Sequence, residues 1–346
     1  MEIPTQRLSA TSWRRPHIAS GSPLPLPEAA TPSDQVSLTS SCNLPAAAPV
    51  PSNEPTRRPK DVTGLDKVLA QVETFAEREY FNAEKDGKAR DAYYQNIDWK
   101  ADGKTLFQQL AEKLKSSHTK ELNYRPSEHL YPWVDLHPDG QLKSLYSQTS
   151  MSPAKAIVED WEVGQTTRLA ENAMTLTAAA FSPEAAAVAL ATQETAALNC
   201  EHVVPQSWFN KAQPQRGDLH HLFACEQRCN SWRGNLPYDE FKKADDNWRE
   251  QCGSVGPGRT FEPLGGKGAA ARATLYFMIR YPGAISRYDA DDINMMLDWS
   301  RRFPPDLWEK HRNAAIEELQ GNRNPLIDYP DLAANIDFRQ GLRGRG

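Results

Sequence analysis

The sequence predicts an α+β fold, mostly helical with a small strand element. Two observations lead there. Apolar residues recur at helical spacing on both sides of the middle of the chain. The middle itself is turn-rich and aromatic, with short runs of strand character and no internal repeat. A doubly wound α/β fold would instead alternate strands and helices along its whole length.

The first 60 residues stand apart. Eleven of the 26 prolines precede Asp61. A segment so rich in Pro and Ser, and so poor in large apolar side chains, cannot offset its ordering entropy. Residues 1–60 are expected to be a disordered tail or a targeting segment. Arg14 and Arg15 lead into Pro16 and His17, not into the apolar stretch of a secretory signal. The folded domain is expected over residues 61–335, followed by a C-terminal tail, 336–346.

Within that domain, Leu65, Val68, Leu69, Val72 and Phe75 share a helical face, and a second helix is expected over Ala89–Ile97. Gly103 precedes a third, Lys104–Lys115, with Leu106, Leu110 and Leu114 on one side. Tyr131–Val134 leads through an Asp-Leu-His-Pro-Asp-Gly turn to Leu145-Tyr146-Ser147, read as short strands. Ser182–Leu198 reads as helix, with Pro183 in its first turn. The last third carries helices at Ala269–Ile279, Asp291–Phe303 and Pro305–Leu319. In the last of these Leu307, Ala314, Ile316 and Leu319 are expected to face inward, and Gly321 to end it.

Composition excludes some functions. A net charge of -5 rules out a histone-like polycation, though not a local basic cleft. No uninterrupted apolar stretch approaches the roughly 18 residues of a spanning helix, so no membrane partner is expected. The Ala-rich run from Ala178 to Leu198 is broken by Ser182, Pro183, Glu184, Gln193 and Glu194.

Most of the unusual residues lie between Asn199 and Tyr238. Glu201-His202 opens a run ending in Trp208-Phe209; Arg216-Gly-Asp-Leu-His220-His221-Leu follows; Asn230-Ser-Trp232-Arg233-Gly-Asn235-Leu-Pro-Tyr closes it. A lone Glu-His pair is usually a surface pair, but two further polar clusters change that weighing. Phosphodiester hydrolysis needs a water made nucleophilic near neutral pH, which suits imidazole. It needs a hard cation at the phosphate, which suits carboxylate and amide oxygens. A zinc peptidase is disfavoured because no His-Glu-x-x-His pattern is present.

These runs resemble the endonuclease I family of non-specific, metal-dependent nucleases, with a ββα-metal (His-Me finger) active site. The similarity continues through Ala271–Tyr281 and Gln320–Asp328, and upstream through Tyr93-Tyr94 to Leu110 and Leu145–Ser147. The resemblance implies His202 as general base, with Glu201 on a strand and Asn235 on a helix as metal ligands. It also implies an Arg on the cleaved phosphate, for which Arg216 and Arg233 are the candidates, with Lys211 behind them. The implied cofactor is Mg²⁺, with Mn²⁺ or Ca²⁺ as substitutes. The implied product ends are a 5′-phosphate and a 3′-hydroxyl. The alternative is a nucleic-acid-binding or structural module of the same fold without catalysis.

The supporting residues are weighed separately. His220 and His221 would face opposite ways on a strand, so one braces the His202 loop while the other packs. Asn230 reads as a helix-start or loop residue near the site, not a ligand. Pro237 is expected to end the helix carrying Asn235. Lys211, Gln206 and Trp232 are expected to contact nucleic acid, DNA first and RNA as an open alternative, while Trp208 is expected to pack. Between Cys200 and Glu250 stand 7 Lys/Arg against 8 Asp/Glu, so any basic cleft must be assembled by folding, with Arg272, Arg280, Arg301 and Arg302 as contributors. Cys200, Cys225, Cys229 and Cys252 bracket the segment and leave three states open: two disulfides, a structural zinc, or free thiols. A monomer is expected, exported or organellar in preference to cytosolic.

Overall fold

The computed structural model describes residues 62–176, 198–241, 248–249, 251–256 and 258–342. These fall in one compact unit, 57–346. The described helices are α1 (Val62–Ala76), α2 (Ala83–Tyr93), α3 (Gly103–Ser117), α4 (Pro126–His129), α5 (Pro153–Leu176), α6 (Gln227–Arg233), α7 (Lys267–Arg280), α8 (Ala290–Arg302), α9 (Leu307–Gln320) and α10 (Pro325–Asp328). The strands are β1 (Leu142–Lys143), β2 (Ser150–Met151), β3 (Leu198–His202), β4 (Leu222–Glu226), β5 (Trp248–Arg249), β6 (Gly253–Val255) and β7 (Phe261–Pro263). They form three small antiparallel sheets, β1-β2, β3-β4 and β5-β6-β7. The α+β reading holds. No described helix is long and apolar enough to cross a membrane.

The β3-β4 pair divides the core. Alternate residues of a strand face opposite sides. Leu198, Cys200, Leu222 and Ala224 pack with Val68, Leu130, Val134 and Ile316. Phe223 and Cys225 face the other way, toward Leu106, Leu110, Tyr146 and Phe277. Helix α7 is buried from Gly268 through Ile279, a mostly apolar stretch whose one charged side chain there, Arg272, is paired with Glu309.

Several elements differ from expectation for identifiable reasons. Helix α2 begins earlier because the Asn82 side chain accepts from Lys85 N at 2.9 Å, and Glu84 and Asp86 suit its positive end. Only Tyr93 of α2 is buried, so periodicity could not locate it. Leu145–Ser147 is a turn, not a strand; Gln148 N bonds back to Ser144 O while Leu145 N is held by Ala224 O. In α9, Leu307 is exposed and only Ile316 of the four expected residues is fully buried. The inward face is polar instead: Arg312 bonds Asp135 and the carbonyls of Leu219 and Leu222, and Asn313 bonds the Asn324 backbone. Buried carbonyls need donors, and α9 supplies them. Gly321 ends α9 at φ 92°. The packed chain continues past residue 335, with Phe338 inside the core. The helix expected over Ser182–Leu198 falls outside the described residues, except that Leu198 begins β3.

Candidate active site

Strands β3 and β4 pair in a register that sets Glu201 opposite Phe223 and His202 opposite Leu222. Helix α6 follows β4 directly. The connection from Val203 to His221 folds back on the pair, with Val203 N bonded to His221 O at 3.0 Å. Asp218 anchors it. Its carboxylate, fully buried, accepts from Tyr276, Tyr281 and Gln320 and from the His220 backbone. Burial opposes that charge, but neighbouring His220, His118 and His221 and the Gln320 amide outweigh it and hold the carboxyl below its usual range. Gly217 precedes Asp218 because a Cβ there would stand 1.8 Å from Leu122 O.

Glu201 is 1% exposed. Its Oε1 accepts from Tyr146 Oη and from Arg233 Nη1, each at 2.7 Å. Tyr146 also shares a 2.7 Å bond with Tyr238. Arg233 continues to the carbonyls of His202, 3.0 Å, and Val203, 2.7 Å, and lies over the Tyr238 ring. Burial raises the Glu201 carboxyl, and Arg233 and Tyr146 pull it back toward ionisation. Burial works against the Arg233 charge too, but Tyr238, Glu201 and Tyr146 reverse this and keep the guanidinium charged. Both hydrogen bonds fall on Oε1, so Oε2 keeps its lone pairs free among the described residues.

Asn235 follows two residues after Arg233, in the turn where Gly234, at φ 56°, ends α6. The helix therefore stops at Arg233 and at the glycine, ahead of Pro237. Asn235 is exposed, and its amide makes no hydrogen bond among the described residues. A carboxylate oxygen and an amide oxygen are both hard donors. They fit a cation that keeps several waters, such as Mg²⁺, better than one demanding a closed nitrogen or sulfur shell.

His202 ends β3 and is 5% exposed. Its Nε2 lies 3.1 Å from Arg216 O. A carbonyl only accepts, so Nε2 carries the proton and Nδ1 the lone pair. The ring sits against Tyr124 and His221. Burial, then His221, pushes its pKa well below the usual histidine value. The imidazole is therefore neutral at pH 7 and able to take a proton.

The two candidate arginines are in different situations. Arg233 is buried and committed to Glu201. Arg216 is half-buried, rests over Tyr124, donates to Gln206 Oε1 at 3.0 Å and has no carboxylate partner among the described residues. Lys211 is exposed, at φ 55°. His220 and His221 lie in a short 3-10 turn, Leu219–His221, and not on a strand. Both are buried, bonded to the carbonyls of Asn322 and Gln215. Asn230 is inside α6, bonded to Asn199 and Cys200 O. Trp232 donates to Gly253 O and carries Arg249 on its ring. Trp208 is half-buried against Tyr288.

Arg272 is buried against Glu309, while Arg301 and Arg302 pair with Asp298 and Glu240, so these three do not form a free basic cleft. Cys229 and Cys252 form a disulfide. Cys200 and Cys225 are buried thiols on opposite faces of the hairpin, in separate halves of the core. Among these four cysteines that placement rules out both a four-cysteine zinc site and a second disulfide. Tyr124, Tyr146 and Tyr238 touch the site residues and were not singled out from sequence, because nothing local marks a contact made across 55 residues such as Tyr146 to Glu201.

Comparison with known proteins places this arrangement. The Endonuclease I family model matches residues 102–331, more than half of the chain and all of the site. The chain belongs to the Endonuclease I family. Among curated relatives, an extracellular ribonuclease of Bacillus amyloliquefaciens is 33% identical over 160 residues, covering 40% of this chain and 53% of the relative. An extracellular ribonuclease of Bacillus subtilis (strain 168) is 32% identical over the same shares. An extracellular deoxyribonuclease of Aeromonas hydrophila is 30% identical over 155 residues, 38% of this chain and 65% of the relative. The chain thus spans about half the length of the Bacillus relatives it matches. The endonuclease I match takes in the β3-β4 pair and α6 together with α7 to α10.

Proposed function

We propose that this protein is a divalent-metal-dependent, largely sequence-non-specific endonuclease that hydrolyses phosphodiester bonds of DNA and RNA, and that β3, β4 and α6 act as a ββα-metal finger. The observation that carries the proposal is the neutral His202, its Nε2–H fixed by Arg216 O, beside a Glu201 whose Oε2 is free. His202 Nδ1 takes a proton from water as the water oxygen bonds to phosphorus in line. The bond from phosphorus to the 3′ oxygen breaks, and that oxygen takes a proton from solvent water, leaving a 5′-phosphate and a 3′-hydroxyl. A Mg²⁺ held by Glu201 and Asn235 would supply positive charge to the phosphate and the departing oxygen. Arg216, free of carboxylates, holds the phosphate. Arg233 and Tyr146 position Glu201 and draw its carboxyl toward ionisation against the effect of burial.

Substrate breadth follows if the protein grips backbone phosphates and leaves base edges unread. Relatives named ribonuclease and deoxyribonuclease both match, which supports acceptance of either sugar. The Cys229–Cys252 disulfide and the extracellular relatives favour an oxidising compartment. Nicking of supercoiled plasmid and cutting of single-stranded RNA, each with Mg²⁺ and with EDTA, test the reading. Cleavage in Mg²⁺ that EDTA abolishes supports it; binding without cleavage would mean a module that has lost catalysis.

A further inference from the structure

We propose that Tyr124 is a positioning residue for the cleavage reaction, its ring holding the phosphate-binding Arg216 and the base His202 in place relative to each other; this rests on the nuclease reading above. Arg216 Cζ lies over the Tyr124 ring, 5.1 Å from its centroid. The His202 ring lies 4.8 Å from the same ring, tilted by 40°. Among the described residues no other ring touches both. The two residues are also tied directly, His202 Nε2–H donating to Arg216 O. The group that grips the phosphate and the group that takes the proton therefore share one aromatic support.

The support is itself anchored. Tyr124 lies in the irregular stretch between α3 and α4. Thr119 N and Lys120 N tie the start of that stretch to Gln320 O, at 3.1 and 3.3 Å. Leu122 then passes so close to Gly217, the neighbour of Arg216, that a Cβ there would meet its carbonyl oxygen. Tyr124 packs on the cluster that contains Leu130, Val134 and Cys200. Arg216 gains most from this. A guanidinium on a long side chain loses rotamer freedom when it grips a phosphate, so one fixed beforehand binds better. Its Nε is taken by Gln206 Oε1 at 3.0 Å and its plane rests on the ring. Nη1 and Nη2 bond nothing among the described residues and are left to meet phosphate oxygens. Burial, and then Cys200, hold the Tyr124 hydroxyl well above the usual tyrosine range, so the residue acts as a neutral face and not as an acid.

The test is a double-mutant cycle on the full chain. Steady-state cleavage of a labelled DNA duplex in Mg²⁺ is measured for wild type, Tyr124→Leu, Tyr124→Met and Tyr124→Phe, each with Arg216 present and with Arg216→Ala. Leu and Met keep apolar bulk but remove the aromatic face. Each should lower kcat about 10-fold while KM stays within about 2-fold, because other backbone contacts supply the binding. Tyr124→Phe restores the face and should recover most of the rate. With Arg216 already replaced, the Leu and Met substitutions should cost less than about 3-fold, the part that acts through His202. A merely structural role would give the same fractional loss in both backgrounds, and that result overturns the proposal. So does a Phe variant as slow as the Leu variant, a Leu and Met pair as fast as wild type, or melting curves showing that neither of that pair folds. In each of these cases wild-type cleavage leaves the nuclease reading standing. No cleavage by the wild type removes the nuclease reading and the proposal with it.

Discussion

Replacing Arg233 by Met keeps the length and apolar bulk of the side chain but removes its charge and all of its donors. The structure sets the size of the loss. Arg233 and Glu201 have side chains 1% and 2% exposed, so the carboxylate would be left buried beside Tyr146 alone. The His202 and Val203 carbonyls would lose donors as well. Removing one partner of a buried ion pair costs about 3–5 kcal/mol. At a few degrees per kcal/mol for a chain of this size, that is a fall in Tm of about 10 °C. The loss should also depend on pH. Burial already raises the Glu201 carboxyl, with Arg233 opposing, so the variant raises it further. A carboxyl with a folded pKa above its unfolded value binds protons more tightly when folded. Stability then falls as pH climbs from the unfolded pKa toward the folded one. Melting curves of both proteins in EDTA should show a larger deficit at pH 8 than at pH 5, and adding Glu201→Gln to the variant should recover part of it. A Tm within about 2 °C of wild type at both pH values would refute the reasoning, since a buried uncompensated charge cannot be that cheap.

Other expectations follow from the same geometry. His202 has its pKa pushed well below the usual histidine value by burial, so the acidic limb of the kcat/KM profile should fall below pH 6.5; a limb centred at pH 7 or higher would remove His202 as the base. Arg216→Ala should lower cleavage at least 10-fold with little change in Tm, because its half-buried charge has no carboxylate partner to lose among the described residues; a Tm loss like that of Arg233→Met would reassign it to structure. Reducing Cys229–Cys252, or replacing both cysteines by Ser, should cost about 3 kcal/mol for a 23-residue separation, measured by urea unfolding; an unchanged midpoint would make the bond dispensable.

Much of this was legible because the site is encoded in short contiguous runs. Glu201 and His202 are neighbours on one strand, and Arg233 ends a helix with Asn235 in the turn just past it, so short motifs carried the resemblance to the endonuclease I family from which their roles are expected. The difference between Arg216 and Arg233 was not legible. Sequence gives the residue type, but only packing shows that one guanidinium is bonded to Glu201 and the other lacks a carboxylate. The inward face of α9 was misread because Arg, Asn and His are usually assigned to solvent; here Arg312 and Asn313 satisfy buried groups of other segments. The cysteines were undecidable at their spacing, since Cys229 meets Cys252 only after β6 is laid beside α6. His220 and His221 were placed on a strand because β4 begins one residue later, at Leu222.

The central claim is that Glu201 and Asn235 hold one hard, weakly bound cation next to His202. Cleavage rate against Mg²⁺ concentration, for wild type, Glu201→Gln, Asn235→Asp and Asn235→Ala, tests it most directly. Glu201→Gln removes the only negative charge of the pair, so its half-maximal Mg²⁺ concentration should rise, by roughly 10-fold or more if a charged ligand is lost. Asn235→Asp should retain more activity than Asn235→Ala, because it still presents an oxygen. Wild-type cleavage that persists unchanged in EDTA, or a Glu201→Gln curve that superimposes on the wild-type curve, would contradict the account.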